Sequence, residues 1–288
     1  MNPEILFGKN VIIQGITGSH GSFQAKAMID SGTNIVAGTS PNKAGESVHG
    51  VPVYSSIQDI QKDFSVDCSV IFVPAKFAKF AILEAISSKI PLIVCITEGI
   101  PIHDMIKIKQ KLVGSKSMLI GPNSPGIIVP GINKLGIIPA SMAKPGNVAV
   151  ISRSGTLTYE AMASLSEIGI GQRYVIGIGG DPIRGTGFIE CLEMFENDKE
   201  VSEIVMIGEI GGTDEILAAE YIKKSITKPV YAYVAGHHAP PGVQMGHAGA
   251  ILGSKSESAQ AKTEALANAG AYTATSVEGL IRLISKDK

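Results

Sequence analysis

The sequence predicts an α/β protein built as two doubly wound parallel-sheet domains, and three observations carry that prediction. Short β-branched runs alternate with longer segments of helical period, the pattern of βαβ units whose sheet is covered on both faces. The alternation occurs twice, separated by a proline- and glycine-rich stretch of weak periodicity from Gly121 to Gly146. Each half opens as a strand, a glycine-bearing turn and a helix, which points to two domains of similar plan rather than a short repeat.

In the first half the apolar runs Val11 to Gln14, Ile35 to Ala37, Cys68 to Val73, Leu92 to Ile96 and Met118 to Ile120 are strand candidates. Ser22 to Ser31 follows a glycine cluster and stops before Gly32, and Phe77 to Ser88 spaces Phe77, Phe80, Ala81, Leu83, Ala85 and Ile86 on a helical stripe. The pattern restarts at Asn147, so the boundary is placed near Ala143, giving domains 1–142 and 143–288. Strands are then expected at Val148 to Ser152, Arg173 to Ile178, Ile204 to Ile207 and Val230 to Val234, with a short one near Ala271 to Thr273. Helices are expected near Leu157 to Ile168, Phe188 to Phe195, Asp214 to Ser225, Ala259 to Ala269 and Val277 to Ser285. The two sheets are expected to be Rossmann-like, then flavodoxin-like.

Composition narrows the function. With 288 residues and 44% hydrophobic content the chain buries ordinary cores, which excludes a disordered protein. A net charge of −1 lacks the positive field with which a duplex-binding protein neutralises phosphates, so no nucleic-acid partner is expected. The cysteines Cys68, Cys95 and Cys191 are odd in number and lack Cys-x-x-Cys spacing; they read as core residues of a reduced protein, with no metal site. No apolar run approaches the ~20 residues of a membrane span, and Met1 to Asn10 has no signal pattern. No membrane association is expected, and a cytoplasmic location is, with the mitochondrial matrix as the alternative for a processed organellar chain.

Ligands of doubly wound sheets bind outside the carboxyl ends of the strands, and the informative residues cluster there. After the first strand, Gly15-Ile-Thr17-Gly18-Ser19-His20-Gly21 forms a Gly-x-x-Gly-x-x-Gly turn that leads into a helix, a cradle for phosphate. It has one residue more between its first glycines than the dinucleotide fingerprint, and the second strand is followed by Lys43 rather than by a carboxylate; both features weigh against NAD. The competing reading is a tight turn with a solvated lysine. Thr97 and Glu98, directly after an apolar strand, are ligand-facing or cap the next helix.

In the second half Ser152-Arg153-Ser154-Gly155-Thr156 runs from strand to helix, a second anion site. Gly177-Ile-Gly-Gly-Asp181-Pro182 and Gly208-Glu209-Ile-Gly-Gly212 follow strands on the same edge. His247 lies in Gly246-His-Ala-Gly249, where minimal bulk lets a phosphoryl donor reach the ring. It is either a nucleophile or an ordinary loop histidine. A nucleophilic imidazole needs one nitrogen held as a donor, and Glu209 can hold it. No triphosphate-binding loop is present.

In combination, Gly15-x-Thr-Gly-Ser-x-Gly21, Ile96-Thr-Glu-Gly-Ile-Pro101, Gly121-Pro-Asn, Ser152-Arg-Ser-Gly-Thr-Leu-Thr-Tyr159, Gly177-x-Gly-Gly-Asp-Pro182, Gly208-Glu-Ile-Gly-Gly212 and Gly246-His-Ala-Gly249 resemble the α subunit of succinyl-CoA synthetase (succinate–CoA ligase) over nearly the whole length. The resemblance implies coenzyme A bound by the first domain, with Thr17, Gly18, Ser19 and His20 at its phosphates, Lys43 at its nucleotide end, and Val73, Pro74, Ile96, Thr97 and Glu98 lining the site. It implies that a β subunit of the ATP-grasp type supplies ATP or GTP with Mg²⁺, and that His247 is phosphorylated and oriented by Glu209. Ser154, Gly155 and Thr156 are then candidates for stabilising phosphate, and Tyr159 for contacting succinate. The implied reaction is the tricarboxylic acid cycle step that converts succinate, coenzyme A and nucleoside triphosphate to succinyl-CoA, diphosphate and phosphate.

The chain departs from the family pattern at Ser124, where many relatives carry Cys, at Lys76, where Pro is common, and at His237 and His238, where histidine is unusual. Two alternatives stay open at this point. One is a related NDP-forming ligase for another carboxylate, because pocket selectivity can turn on one or two contacts. The other is a non-catalytic coenzyme A-sensing module.

Overall fold

The computed structural model describes residues 2–240 and 242–286. The chain forms two compact units, one of Glu4–Ile138 with Ile183–Gly185 and one of Met1–Pro3, Pro139–Pro182 and Thr186–Lys288.

The first unit contains β1 (Val11–Gln14), α1 (Ser19–Asp30), β2 (Ile35–Thr39), β3 (Ser47–Val48), β4 (Val51–Tyr54), α2 (Ile57–Ile60), β5 (Cys68–Ile71), α3 (Ala75–Ser87), β6 (Leu92–Cys95), α4 (Ile102–Leu112), β7 (Met118–Ile120), β8 (Gly126–Val129) and β9 (Asn133–Gly136). Its seven-stranded sheet runs β3-β4-β2-β1-β5-β6-β7, with only β3 antiparallel to its neighbour. Counted along the chain without β3, the parallel strands lie in the order 3-2-1-4-5-6, the Rossmann arrangement, and the order reverses between β1 and β5. Every residue of β1, β5 and β6 is buried, as continuous apolar runs covered on both faces require. Ile12, Ile71 and Ile93 pack with Ile82 of α3 and Met105 and Ile108 of α4, each aliphatic side chain contributing about 1.5–3 kcal/mol on burial.

The second unit contains β10 (Pro145–Ser152), α5 (Gly155–Glu167), β11 (Gln172–Gly177), α6 (Phe188–Asn197), β12 (Glu203–Glu209), α7 (Asp214–Ser225), β13 (Val230–Ala235), α8 (Ala259–Asn268), β14 (Tyr272–Ala274) and α9 (Val277–Lys286). These strands run β14-β13-β12-β10-β11, all parallel, which read from the other edge is the flavodoxin-like order 2-1-3-4-5. Its reversal lies between β10 and β12.

The α/β reading holds, and the expected strands all form. Helix α1 starts three residues earlier than the apolar periodicity predicts, because Gly18 in the glycine turn is already its N-cap and the turn itself supplies the first helical turn. The sequence reading did not place β3, β4, α2, α4 or the β8–β9 hairpin. The hairpin hides because both strands are buried throughout, Asn133 and Lys134 included, so no polar alternation marks them. Several of its polar groups are paired: Asn133 Nδ2 donates to the carbonyls of Leu6 and Phe7, and Thr33 exchanges hydrogen bonds with the Lys134 backbone. All three cysteines are buried, and burial pushes the thiols of Cys68 and Cys191 up, out of the range of reactive thiolates.

Candidate functional site

In the first unit the glycine turn sits at the reversal point of the sheet. Gly21 lies in the first turn of α1 and packs so closely on the preceding loop that an added Cβ would be 2.2 Å from the Gly15 carbonyl oxygen. A side chain there would push the helix away, so the glycine brings the N–H groups that open α1 close to the turn, where Gly18, Ser19 and His20 are exposed. Thr17 Oγ1 donates to Ser40 Oγ at 3.0 Å, tying the turn to the end of β2, beyond which Lys43 is exposed. Thr97 Oγ1 donates to the Val73 carbonyl at 2.6 Å and ties the end of β6 to the end of β5. Pro74 is the N-cap of α3, half-buried Ile96 precedes Thr97, and Glu98 is exposed. Thr17, Lys43, Val73, Pro74, Ile96, Thr97 and Glu98 therefore follow the carboxyl ends of four adjacent strands, the edge where doubly wound sheets hold ligands. The set holds one cation, Lys43, one exposed carboxylate, Glu98, and apolar Val73, Pro74 and Ile96, while the Thr17 and Thr97 hydroxyls already donate within the protein; Lys43 and the N–H groups that open α1 are the parts that suit a phosphate-bearing ligand.

In the second unit the structure brings His247 and Glu209 together at the corresponding reversal point. His247 Nδ1 is 2.7 Å from Glu209 Oε2, the last residue of β12. Arg153, which follows β10, places Nη2 3.1 Å from the other carboxylate oxygen as an ion pair without hydrogen-bond alignment. The carboxylate is buried, while the imidazole keeps 27% of its surface open. A carboxylate on Nδ1 makes that nitrogen the donor and leaves the Nε2 lone pair available. The hydrogen bond to Glu209 raises the imidazole pKa; burial and the Arg153 charge oppose this, and the Glu209 and Asp181 charges add to the rise.

Gly180 explains the glycine pair ahead of Asp181. A Cβ on it would come within 2.3 Å of His247 Cγ, so only glycine lets the ring pack this close to that loop, and Gly249 N–H donates to the Gly180 carbonyl at 3.2 Å. Ser154 caps α5 by accepting from Leu157 N–H at 3.4 Å, which occupies its oxygen and leaves Gly155 and Thr156 to present backbone N–H groups. Tyr159 lies in the second turn of α5, half-buried, and burial raises its pKa.

The sequence reading did not single out Arg153, Glu215 or Lys262 as individual residues. Glu215 Oε1 accepts from Arg153 Nη1 at 3.0 Å and from Glu209 N–H at 3.1 Å, and Glu215 Oε2 accepts from Lys262 Nζ. The signal for Lys262 is its register: it falls three residues after Ala259 and four before Leu266, on the apolar face of α8. At the departures from the family pattern, Ser124 Oγ accepts from Gly126 N–H at 2.8 Å, Lys76 Nζ sits 4.9 Å from the Phe77 ring centre, and His237 and His238 are exposed after β13. Among the described residues no cluster of His, Cys, Asp and Glu is arranged to hold a metal ion, and no helix is long and apolar enough to cross a membrane.

Two family models match the chain. Residues 8–99 match the family model described as a CoA binding domain, and residues 151–272 match that of CoA-ligase. The fold resembles that of an ATP citrate lyase from Methanothrix soehngenii solved in complex with citrate and coenzyme A, with a TM-score of 0.88 and 27% identity; the match covers 98% of this chain and 49% of that one. The sequence is 49% identical over 288 residues to the succinate–CoA ligase [ADP-forming] subunit alpha 1 of Archaeoglobus fulgidus, covering 99% of both chains, and 51% identical to the corresponding α subunit of Aquifex aeolicus, covering 91% of this chain and 87% of that one. Identity at this level over almost the entire length means that the chain belongs to the succinate–CoA ligase α-subunit family.

Proposed function

We propose that the chain is the α subunit of a nucleoside-diphosphate-forming succinate–CoA ligase that works through phosphorylated His247. The observation that carries this is the 2.7 Å contact between His247 Nδ1 and Glu209, which commits Nδ1 as the donor and leaves the Nε2 lone pair for attack. In the first step Nε2 attacks the terminal phosphorus of a nucleoside triphosphate; the bond to the diphosphate breaks and a phosphoimidazole forms. The backbone N–H groups of Gly155 and Thr156 donate to the transferred oxygens, and Glu209 balances the positive charge that develops on the ring. A succinate carboxylate then takes the phosphoryl group and frees His247, with Tyr159 proposed to contact the acid. Phosphate is finally displaced from the acyl phosphate by the thiol of coenzyme A, leaving the thioester.

No Gly-x-x-x-x-Gly-Lys-Ser/Thr loop is present in this chain, so the nucleotide and its Mg²⁺ are assigned to a β subunit of the ATP-grasp type. Domain 1–142 is proposed to bind coenzyme A, with Thr17, Gly18, Ser19 and His20 at the phosphates, Lys43 at the nucleotide end, and Val73, Pro74, Ile96, Thr97 and Glu98 along the site; domain 143–288 carries the phosphohistidine loop. The bacterial and archaeal sources of the relatives support the cytoplasm as its compartment. Intact-mass measurement of the chain co-purified with its β subunit, after addition of ATP or GTP with Mg²⁺, tests the reading. An acid-labile phosphoryl adduct is expected on the wild type but not on His247→Asn, discharged by succinate plus coenzyme A. An assembled, coenzyme A-binding complex that forms no adduct overturns it.

A further inference from the structure

Behind Glu209 lies a second carboxylate, Glu215, that is 0% exposed and out of reach of any substrate. It receives Arg153 on one oxygen and Lys262 on the other, and Lys262 Nζ also donates to the carbonyls of Glu209 at 2.8 Å and Gly211 at 2.7 Å. Arg153 then reaches from Glu215 to Glu209, and Glu209 to His247. The packing leaves no slack: a Cβ on Gly208 would sit 2.6 Å from Glu215 Cγ.

We propose that Glu215 and Lys262 are positioning residues for the phosphoryl-transfer step, the buried end of a Lys–Glu–Arg–Glu chain that fixes the Glu209 carboxylate and, through it, the proton on His247 Nδ1. The proposal rests on the phosphohistidine reading and extends it to two residues that touch no reactant. Stability alone does not account for them. Taking four charges out of water costs several kcal/mol per ion, and packed apolar side chains of similar volume hold a core at least as well. What an apolar core cannot do is hold a carboxylate in one orientation at a ring edge. The four formal charges also sum to zero, Glu209 and Glu215 against Arg153 and Lys262, so removing any one of them leaves the group unbalanced.

Balance makes the test directional. The groups facing His247 are Glu209 on β12, Arg153 after β10 and Asp181 in the loop after β11, with Glu215 on α7 and Lys262 on α8 behind them. Removing a negative charge with Glu215→Gln leaves a positive excess and lowers the His247 titration midpoint. Removing a positive one with Lys262→Met raises it, since Arg153 and the Glu209 N–H keep Glu215 ionised. Each shift is about half a pH unit or more. The double variant returns toward the wild type, and Lys262→Arg stays with it.

The experiment is an NMR titration of the full chain labelled with ¹⁵N in its histidine rings, His247 being assigned by its loss in His247→Asn. Opposite shifts in the two single variants, with recovery in the double, support the positioning role. Shifts in one direction, or folded variants whose midpoint does not move, overturn it. Should Lys262→Met fail to fold, Glu215→Gln and the double variant decide the matter alone. The titration needs neither nucleotide nor partner, so the two failures are told apart: no phosphoryl adduct in the mass measurement counts against the ligase reading, whereas unmoved midpoints in an enzyme that is phosphorylated count against the positioning chain alone.

Discussion

Replacing Glu209 by Gln keeps the shape of the side chain and removes its charge, and the surroundings decide how the amide settles. One carboxylate oxygen faces Arg153 Nη2 at 3.1 Å, a donor that only an oxygen can meet, so the amide NH₂ turns toward His247 Nδ1. That nitrogen must then accept, which moves the ring proton to Nε2 and occupies the lone pair that attacks phosphorus. The loss is that of one charge-assisted hydrogen bond, about 1.5–3 kcal/mol, or a tenfold to hundredfold slower phosphorylation. The pH profile moves as well. The Glu209 bond raises the His247 pKa, so in the wild type the neutral, nucleophilic ring is depleted as the pH falls through a value above that of ordinary histidine; Glu209→Gln shifts this limb to lower pH. Single-turnover quench measurements on the assembled complex, from pH 5.5 to 9, read both effects. A rate within threefold of the wild type with an unmoved acid limb would refute the reasoning.

Other perturbations give equally definite outcomes. Gly180→Ala drives a Cβ into the His247 ring and is expected to abolish the phosphoryl adduct and lower the melting temperature, since overpacking costs about 1–3 kcal/mol; intact mass and calorimetry check this. Gly21→Ala collides with the Gly15 carbonyl and should weaken coenzyme A binding at least tenfold by titration calorimetry while leaving phosphorylation of His247 in place. Ser154→Ala removes the α5 cap and costs about 1 kcal/mol in chemical denaturation. Burial pushes the Glu215 carboxyl up, but Arg153 and Lys262 hold it below the usual carboxylate range, so its contribution is present above the unfolded-state pKa and is lost as the pH falls through the folded one; Glu215→Gln should flatten the acid limb of a denaturation profile.

The sheets were legible because buried parallel strands leave continuous runs such as Leu92–Cys95, and helices because α5, α6 and α7 repeat with helical period. The β8–β9 hairpin was not, since burial on both faces erases its period, nor was α4, whose only buried residues, Met105 and Ile108, make a thin stripe. His247 and Glu209 could be named from their small-residue loops and strand ends, where sequence and chemistry coincide. Lys262 could not be recognised as part of the site, because its partners lie 47 to 53 residues away and only the folded sheet brings them to it.

The most direct test of the account is the position of the phosphoryl group on the ring. With Nδ1 committed to Glu209, ³¹P NMR of the phosphorylated complex, together with mass spectrometry of its peptides under alkaline conditions, is expected to place the phosphorus on Nε2 of His247. Phosphorus on Nδ1, or on another residue, contradicts it.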